Sequence, residues 1–245
     1  MKQPQSRFYL IITILLLLLV LLGFGPRFYL RPLFDQPRHL QMEQLPLYLI
    51  LHGILMSLWY VMLVVQSALV NAKNIKLHMR LGVGLGGIAL LAVIFAIPVM
   101  MGFAPRMMSL GFLDVDDTER LWLQNVMWTN DVLALITFSG MVSIGFYNRK
   151  NKALHRTMML FASMAFTGPA TGRMLEWMAP SLFMEGTVLL FVLFPTSVFV
   201  HDWVREKKFP KYPFWGLAVL ILMIALTFLL PATGFWTALF INHLK

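Results

Sequence analysis

Seven apolar runs, separated by short polar segments, divide the chain from its beginning to near its last residue. Most runs contain roughly 20 or more residues, enough to cross a hydrocarbon layer about 30 Å thick as an α-helix. The pattern therefore predicts an all-α polytopic transmembrane helix bundle that forms a single domain over residues 1–245. The predicted helices span residues 8–25, 46–70, 81–103, 123–146, 155–178, 181–201 and 213–241.

Proline and polar residues interrupt several of these runs. Because proline lacks the backbone N–H and its ring clashes with the preceding turn, each internal proline predicts a kink. These prolines are Pro98, Pro169, Pro195 and Pro231. The fourth run fits the pattern least well, because it contains Asn130 and Asp131.

The first run is an uncleaved helix in our interpretation. Lys2 and Arg7 precede an apolar core, as in a secretory signal, but the following segment FGPRFYLRP offers no small-residue cleavage site.

Composition and charge support the membrane assignment. Hydrophobic residues make up 59% of the chain and charged residues only 13%, and the net charge is +9. Most lysines and arginines lie on the N-terminal side of the predicted helices, whereas an acidic stretch near Asp114 lies on the other side. Since basic loops stay in the cytoplasm, we expect a bacterial inner-membrane protein with a cytoplasmic N-terminus and a periplasmic C-terminus. The expected partner is the lipid bilayer, and the basic charge does not indicate nucleic acid.

Ionisable residues inside the runs are the first candidates for function, because burying them in a membrane costs free energy. His52, Asp131, Arg173 and Glu185 come from four different runs, and their positions place all of them in the outward half of the bilayer. If Asp131 and Arg173 face each other, the attraction between them offsets the free-energy cost of removing each charge from water. Glu176 is three residues beyond Arg173 and can pair with it on one helix face. This pattern predicts a polar pocket.

The second run carries a polar stripe. His52, Trp59 and Gln66 recur every seven residues and so lie along one helix face, which we expect to point into the bundle. The stripe fits a groove for a small polar or amphipathic ligand. Taken alone, the stripe favours the alternative, in which these side chains form interhelical hydrogen bonds that hold the bundle together.

Three further histidines, His78, His155 and His201, lie at the predicted cytoplasmic ends of helices. Histidines at one depth on different helices can ligate a b-type haem iron or a divalent metal. The alternative is that these rings are polar residues at the headgroup level, since each has an arginine or an aspartate nearby.

Several protein classes are excluded by what the sequence lacks. There is no cysteine, so disulfides, thiolate metal sites and cysteine nucleophiles are ruled out. The last run has no lysine for a retinal Schiff base, and the chain has no GK[ST] phosphate loop, HExxH or G-x-S-x-G.

A short internal repeat links two turns. Residues 74–78 read NIKLH and residues 151–155 read NKALH, and each segment opens an apolar run. The similarity indicates either an ancient duplication of a helical hairpin or two similar basic turns with an asparagine cap.

The stretch HGILMSLWYVMLVVQSALVNAKNIKLHMRLG, with LHRTMMLFASMAFTGPATGR further along, resembles a group of uncharacterised bacterial multi-helix inner-membrane proteins. The resemblance covers about half of the chain and includes His52, Trp59, Gln66, His155 and Arg173. It supports these positions without implying a reaction. The histidines at helix ends also resemble those of di-haem membrane cytochromes, although the mid-helix histidine pairs of such cytochromes are missing here.

Three hypotheses follow. The first is binding or transport of a small or lipidic ligand at an outward-facing pocket lined by His52, Trp59, Gln66, Asp131, Arg173 and Glu176. The second is a redox role with b-type haem or quinone near His78, His155 and His201. The third is a non-catalytic subunit or assembly factor that works with other membrane subunits.

Overall fold

The computed structural model describes residues 7–36, 45–109, 111 and 118–234. In this part of the chain all of the regular secondary structure is helical. The α-helices are α1 (Phe8–Phe24), α2 (Leu47–Asn71), α3 (Ile75–Met101), α4 (Phe103–Ser109), α5 (Thr118–Tyr147), α6 (Lys152–Ala165), α7 (Gly168–Met178), α8 (Phe183–Glu206) and α9 (Lys211–Ala232). A π-helical turn at Gly25–Tyr29 extends α1, and short 3₁₀ turns occupy Arg31–Leu33 and Pro180–Leu182.

Six helical segments are long and apolar enough to cross a membrane, judged by length and composition within the described residues. They are Phe8–Tyr29, Leu47–Asn71, Ile75–Met101, Leu121–Tyr147, Pro180–Glu206 and Lys211–Ala232. Large apolar side chains such as Val83, Leu90 and Ile136 are exposed on these helices, as expected of surfaces that face acyl chains. The prediction of a multi-pass helical bundle is confirmed at this level. The predicted end of the last helix, beyond residue 234, lies outside the described residues.

The segment predicted as one helix over residues 155–178 is instead two short helices, α6 and α7. Pro169, near the start of α7, cannot donate the backbone hydrogen bond that would continue α6. The chain closes α6 with tight turns, in which Phe166 N donates to Ser163 O at 3.3 Å and Thr167 N donates to Met164 O at 3.0 Å. The prediction is therefore corrected from one kinked helix to a discontinuous pair.

Threonine hydroxyl groups provide hydrogen bonds at this interruption. Thr167 Oγ1 donates to Met164 O at 2.7 Å. Thr171 Oγ1 donates to Thr167 O at 3.0 Å and to Gly168 O at 2.8 Å. Met164 O and Thr167 O also accept backbone hydrogen bonds, from Thr167 N at 3.0 Å and Thr171 N at 2.8 Å. The hydroxyl groups therefore give these carbonyls a second donor, where no water is available in the hydrocarbon region.

The α6–α7 pair lies in the centre of the bundle. Every residue from Thr157 to Ala165 is buried, and α6 contacts α5, α8 and α9 while α7 contacts α1 and α8. The approach of α1 to α7 is close: a Cβ atom built on Gly23 would lie 2.2 Å from the carbonyl oxygen of Ala170. Small residues permit such close helix contacts in membrane proteins.

The two similar turns of the repeat are both asparagine caps. Asn74 Oδ1 accepts a hydrogen bond from Leu77 N at 3.2 Å, and Asn151 Oδ1 accepts one from Leu154 N at 3.2 Å. These caps start α3 and α6 several residues earlier than the apolar pattern predicts. The geometry agrees with the asparagine-cap alternative, while the duplication remains a prediction.

Candidate functional site

Charged side chains from four helical segments meet at one end of the bundle. Arg27 comes from the turn after α1, Arg106 from α4, Asp131 from α5, and Arg173 and Glu176 from α7. The ion pair and electrostatic interactions described below link all five. We call this set the arginine cluster.

Asp131 on α5 and Arg173 on α7 lie close enough to interact electrostatically. Within the described residues, no ion pair of 4.0 Å or less joins them. Asp131 Oδ1 accepts a long hydrogen bond of 3.5 Å from Asn130 Nδ2. Both side chains are only half-buried. The structure thus brings the two predicted charges together without direct contact.

Backbone and ring contacts hold the guanidinium group of Arg173. Its Nη1 atom donates to Pro169 O at 3.0 Å, and its Cζ atom lies 4.8 Å from the ring centroid of Phe24. A cation over an aromatic face is attracted by the electron-rich ring. The contact with Pro169 also places Arg173 one turn beyond the interruption between α6 and α7.

Arg27 forms the direct ion pair with Glu176. Arg27 Nη2 lies 3.3 Å from Glu176 Oε2, and the two side chains are 10% and 30% exposed. Arg27 Nε is buried and has no hydrogen-bond partner among the described residues. Glu176 also interacts electrostatically with Arg173, as their spacing predicts. Arg27 was missed as a site residue because it lies just after the first apolar run.

Arg106 is the third arginine, held by the turn between α3 and α4. Its Nη1 atom donates to Tyr48 Oη and its Nη2 atom to Val99 O, both at 3.1 Å. A Cβ atom on Gly102 would lie 2.6 Å from Arg106 Nη1. Apart from its charge, nothing in the sequence marks Arg106 as a site residue, because α4 is too short to stand out as an apolar run.

The polar residues of the α2 stripe lie in two different environments, the edge of the arginine cluster and the buried interior of the bundle. His52 lies at the edge of the arginine cluster: its Nδ1 is 3.3 Å from Ala92 O, and it interacts electrostatically with Arg173. Trp59 is fully buried, and its Nε1 donates to Ser163 Oγ at 3.0 Å. The indole therefore joins α2 to α6, as in the interhelical alternative.

Gln66 joins α2 to α3 further along the stripe. With its amide oriented so that both atoms find partners, its nitrogen donates to His78 O at 3.1 Å and to His78 Nδ1, and its oxygen accepts from Gly82 N at 3.1 Å. Glu185, which the sequence placed in the same half of the bilayer, is exposed on the first turn of α8. Neither residue has a described contact with the arginine cluster.

The structure separates the three candidate haem or metal histidines. The rings of His78 and His155 are neighbours, with centroids 6.3 Å apart and planes at 83°. His155 Nδ1 donates to Gly145 O at 2.9 Å. His201 instead stacks on Phe8, with ring centroids 3.9 Å apart. The described residues contain no group of three or more His, Asp or Glu side chains that could hold a metal ion.

His201 belongs to a polar network around Asp202, whose exposure is only 3%. Asp202 accepts hydrogen bonds from Tyr9 Oη, from Arg156 Nη2 at 2.9 Å and from His201 Nδ1 at 3.0 Å. The Arg156 guanidinium also lies 4.0 Å from the centroid of the Tyr9 ring. We call these four residues the aspartate network. The sequence identified His201 but not the contact of α1 with α8, which depends on tertiary packing.

The fold and the sites together define a multi-pass helical bundle with a charged cluster at one end and a buried carboxylate network at the other. Comparison with protein-family models finds no match, and no curated protein or solved structure shows significant similarity to the chain. Function must therefore be argued from the geometry of these sites.

Proposed function

We propose that the chain is a multi-pass membrane protein that binds a small polar or lipidic ligand at the arginine cluster. Arg173 and Asp131 are its charged anchors, and His52 lies at the edge of the site. One observation carries the proposal: Arg173 and Asp131 interact electrostatically from α7 and α5, yet within the described residues no direct ion pair joins them. Two opposite charges held apart leave a place for a polar group of a ligand.

The interruption between α6 and α7 adds support by analogy. In secondary transporters, discontinuous helices carry substrate sites, because irregular backbone is tolerated where it lines a cavity or is covered by protein. Here the interruption is covered by α5, and Asn130 lies against it: a Cβ atom on Gly168 would be 2.9 Å from Asn130 Nδ2. Asp131 follows directly in the sequence, so the interruption and the anchors share one region.

The bacterial inner membrane and an outward-facing site also belong to this proposal. They are supported by the distribution of lysine and arginine, which favours a cytoplasmic N-terminus and a periplasmic C-terminus. The arginine cluster then faces the periplasm, because it lies at the end of α1 opposite to the N-terminus.

Retention of a bound molecule by the purified full-length chain tests the proposal. Native mass spectrometry from mild detergent should show a molecule bound to the wild-type protein and its loss in Arg173→Ala. Arg80→Ala is the matched control, because Arg80 is exposed at the opposite end of α3. Equal retention by Arg173→Ala and the wild type, with both proteins folded, would contradict the proposal.

A second candidate function, a b-type haem redox role, is favoured by the proximity of His78 and His155. Because His155 Nδ1 donates to Gly145 O, its Nε2 is left as an acceptor, as an iron ligand requires. His78 fits less well, because in the preferred amide orientation Gln66 donates to its Nδ1 and the proton then lies on Nε2. A Soret band in protein from haem-replete cells, weakened in His155→Ala, would support this role. Colourless wild-type protein would remove it.

A further inference from the structure

We infer that the ligand of the arginine cluster is an anion that bears a phosphate group, carried by a lipid or by a soluble molecule. The inference rests on the proposed function and specifies the chemistry of its ligand.

The charges of the cluster do not balance. It contains three guanidinium groups, on Arg27, Arg106 and Arg173, and two carboxylates, on Asp131 and Glu176. Glu176 pairs with Arg27 at 3.3 Å. Asp131 interacts electrostatically with both Arg106 and Arg173. Among the described residues one positive charge is therefore in excess, and it is costly in a partly dehydrated site unless an anion is present.

The contacts of Arg106 and Arg173 orient the two guanidinium groups without neutralising them. Arg173 donates to a backbone carbonyl, and Arg106 donates to a carbonyl and a tyrosine hydroxyl. These acceptors carry no formal charge, so each arginine keeps its attraction for an anion. The planar fork of arginine presents parallel N–H groups that match two phosphate oxygens.

An unsatisfied donor in the same cluster points to a missing acceptor. The Arg27 side chain is 10% exposed, and its buried Nε has no hydrogen-bond partner in the part of the chain that the structure describes. Buried polar atoms in native proteins are nearly always hydrogen-bonded, so such an exception calls for an explanation. A phosphate oxygen bound between the three arginines would supply an acceptor to a cluster that has donors in excess.

The experiment uses the full-length protein in two arms. In the lipid arm, native mass spectrometry compares the retention of phosphatidylglycerol, which is anionic, with that of phosphatidylcholine and diacylglycerol. In the soluble arm, thermal unfolding in phosphatidylcholine nanodiscs is followed with inorganic phosphate and with chloride at equal ionic strength. We expect selective retention of phosphatidylglycerol for a lipid ligand, or stabilisation by phosphate for a soluble ligand.

Conservative variants locate the effect. Arg173→Lys and Arg106→Lys keep the charge but lose the planar fork, so each should weaken binding of the selected anion about tenfold. Arg80→Lys, at the opposite end of α3, should bind as the wild type does. If Arg173→Lys fails to fold, Arg106→Lys carries the same comparison.

The outcomes separate the two proposals. Retention of phosphatidylcholine or diacylglycerol that depends on Arg173 would leave ligand binding intact and overturn the anion inference. If none of these probes bound in a way that depends on Arg173, both proposals would be overturned. Anion binding that is unchanged in both lysine variants would overturn the assignment to this cluster.

Discussion

Arg156 and Asp202 form an ion pair, with 2.9 Å between Nη2 and Oδ2, that joins α6 to α8. Tyr9 of α1 donates to the same carboxylate. Three helices distant in sequence thus share one buried acidic side chain. The bundle is held at this end by charge-assisted hydrogen bonds, whose strength depends on the carboxylate remaining ionised.

Asp202→Asn should therefore lower the stability of the bundle. The substitution keeps the size of the side chain and removes the charge that Arg156 pairs with, at a cost of about 2 kcal/mol in the free energy of unfolding. Thermal unfolding in detergent micelles measures the change. Glu185→Gln, on an exposed residue in the first turn of the same helix, is the control. Equal losses in the two variants would show that the network contributes nothing specific.

Ser163→Ala should destabilise the contact between α2 and α6. Trp59 Nε1 donates to Ser163 Oγ at 3.0 Å, and the variant leaves this buried indole N–H without its acceptor, at a cost of about 1–2 kcal/mol. Ser139→Ala is the control, because the described hydrogen bond of Ser139 Oγ goes to Leu135 O of its own helix. If Ser163→Ala changed ligand retention while stability stayed constant, Trp59 would line the pocket instead.

Gly23→Ala should force α1 away from α7. The added Cβ would lie 2.2 Å from the backbone oxygen of Ala170, which cannot move aside as a flexible side chain can. Overpacking of this kind typically costs 1–3 kcal/mol, so about 2 kcal/mol is expected here. In Gly84→Ala the added Cβ would have no neighbouring atom within 4 Å among the described residues. This variant should be neutral or slightly stabilising in a denaturation series. Identical unfolding curves for both variants would contradict this account of the helix crossing.

Gly102→Ala should weaken anion binding more than it weakens the fold. Its Cβ would lie 2.6 Å from Arg106 Nη1, the far end of a long side chain, and 3.0 Å from both Pro98 O and Tyr48 Oη. The guanidinium group therefore has to move, whereas the backbone has to give only slightly. A phosphate or phosphatidylglycerol titration should show about tenfold weaker binding. Gly87→Ala, with open space around it, serves as the comparison. Unchanged affinity in Gly102→Ala would mean that Arg106 does not contact the ligand.

The fold was predictable from the sequence as far as hydrophobicity determines it. Continuous apolar runs gave the long helices, since a membrane requires every backbone group to be bonded within its own segment. For the interruption at Phe166 and Thr167, the sequence indicates only a kink at Pro169 and not the end of a helix. Whether a proline bends a helix or ends it depends on partners such as the hydroxyl groups of Thr167 and Thr171, which a linear pattern does not reveal.

The candidate site was predictable where the cost of a buried charge was visible in the sequence. Asp131 and Arg173 lie inside apolar runs, so the sequence indicates that each needs a polar or charged partner. In the structure the two side chains interact electrostatically without a direct ion pair among the described residues. Arg27 and Arg106 lie just outside such runs and resemble ordinary interfacial arginines. Their convergence depends on the π-helical turn after α1 and on the short helix α4, which are set by local packing.

The divided helix pair also bears on how the chain enters the membrane. α6 has 14 residues and α7 has 11, so neither reaches across the hydrocarbon layer by itself at about 1.5 Å per residue. During synthesis this segment emerges before α8 and α9, two of the helices that later enclose it. Its lasting insertion therefore depends on the arrival of the final two spans, and a nascent chain halted at Met178 would hold its most polar segment only loosely in the bilayer.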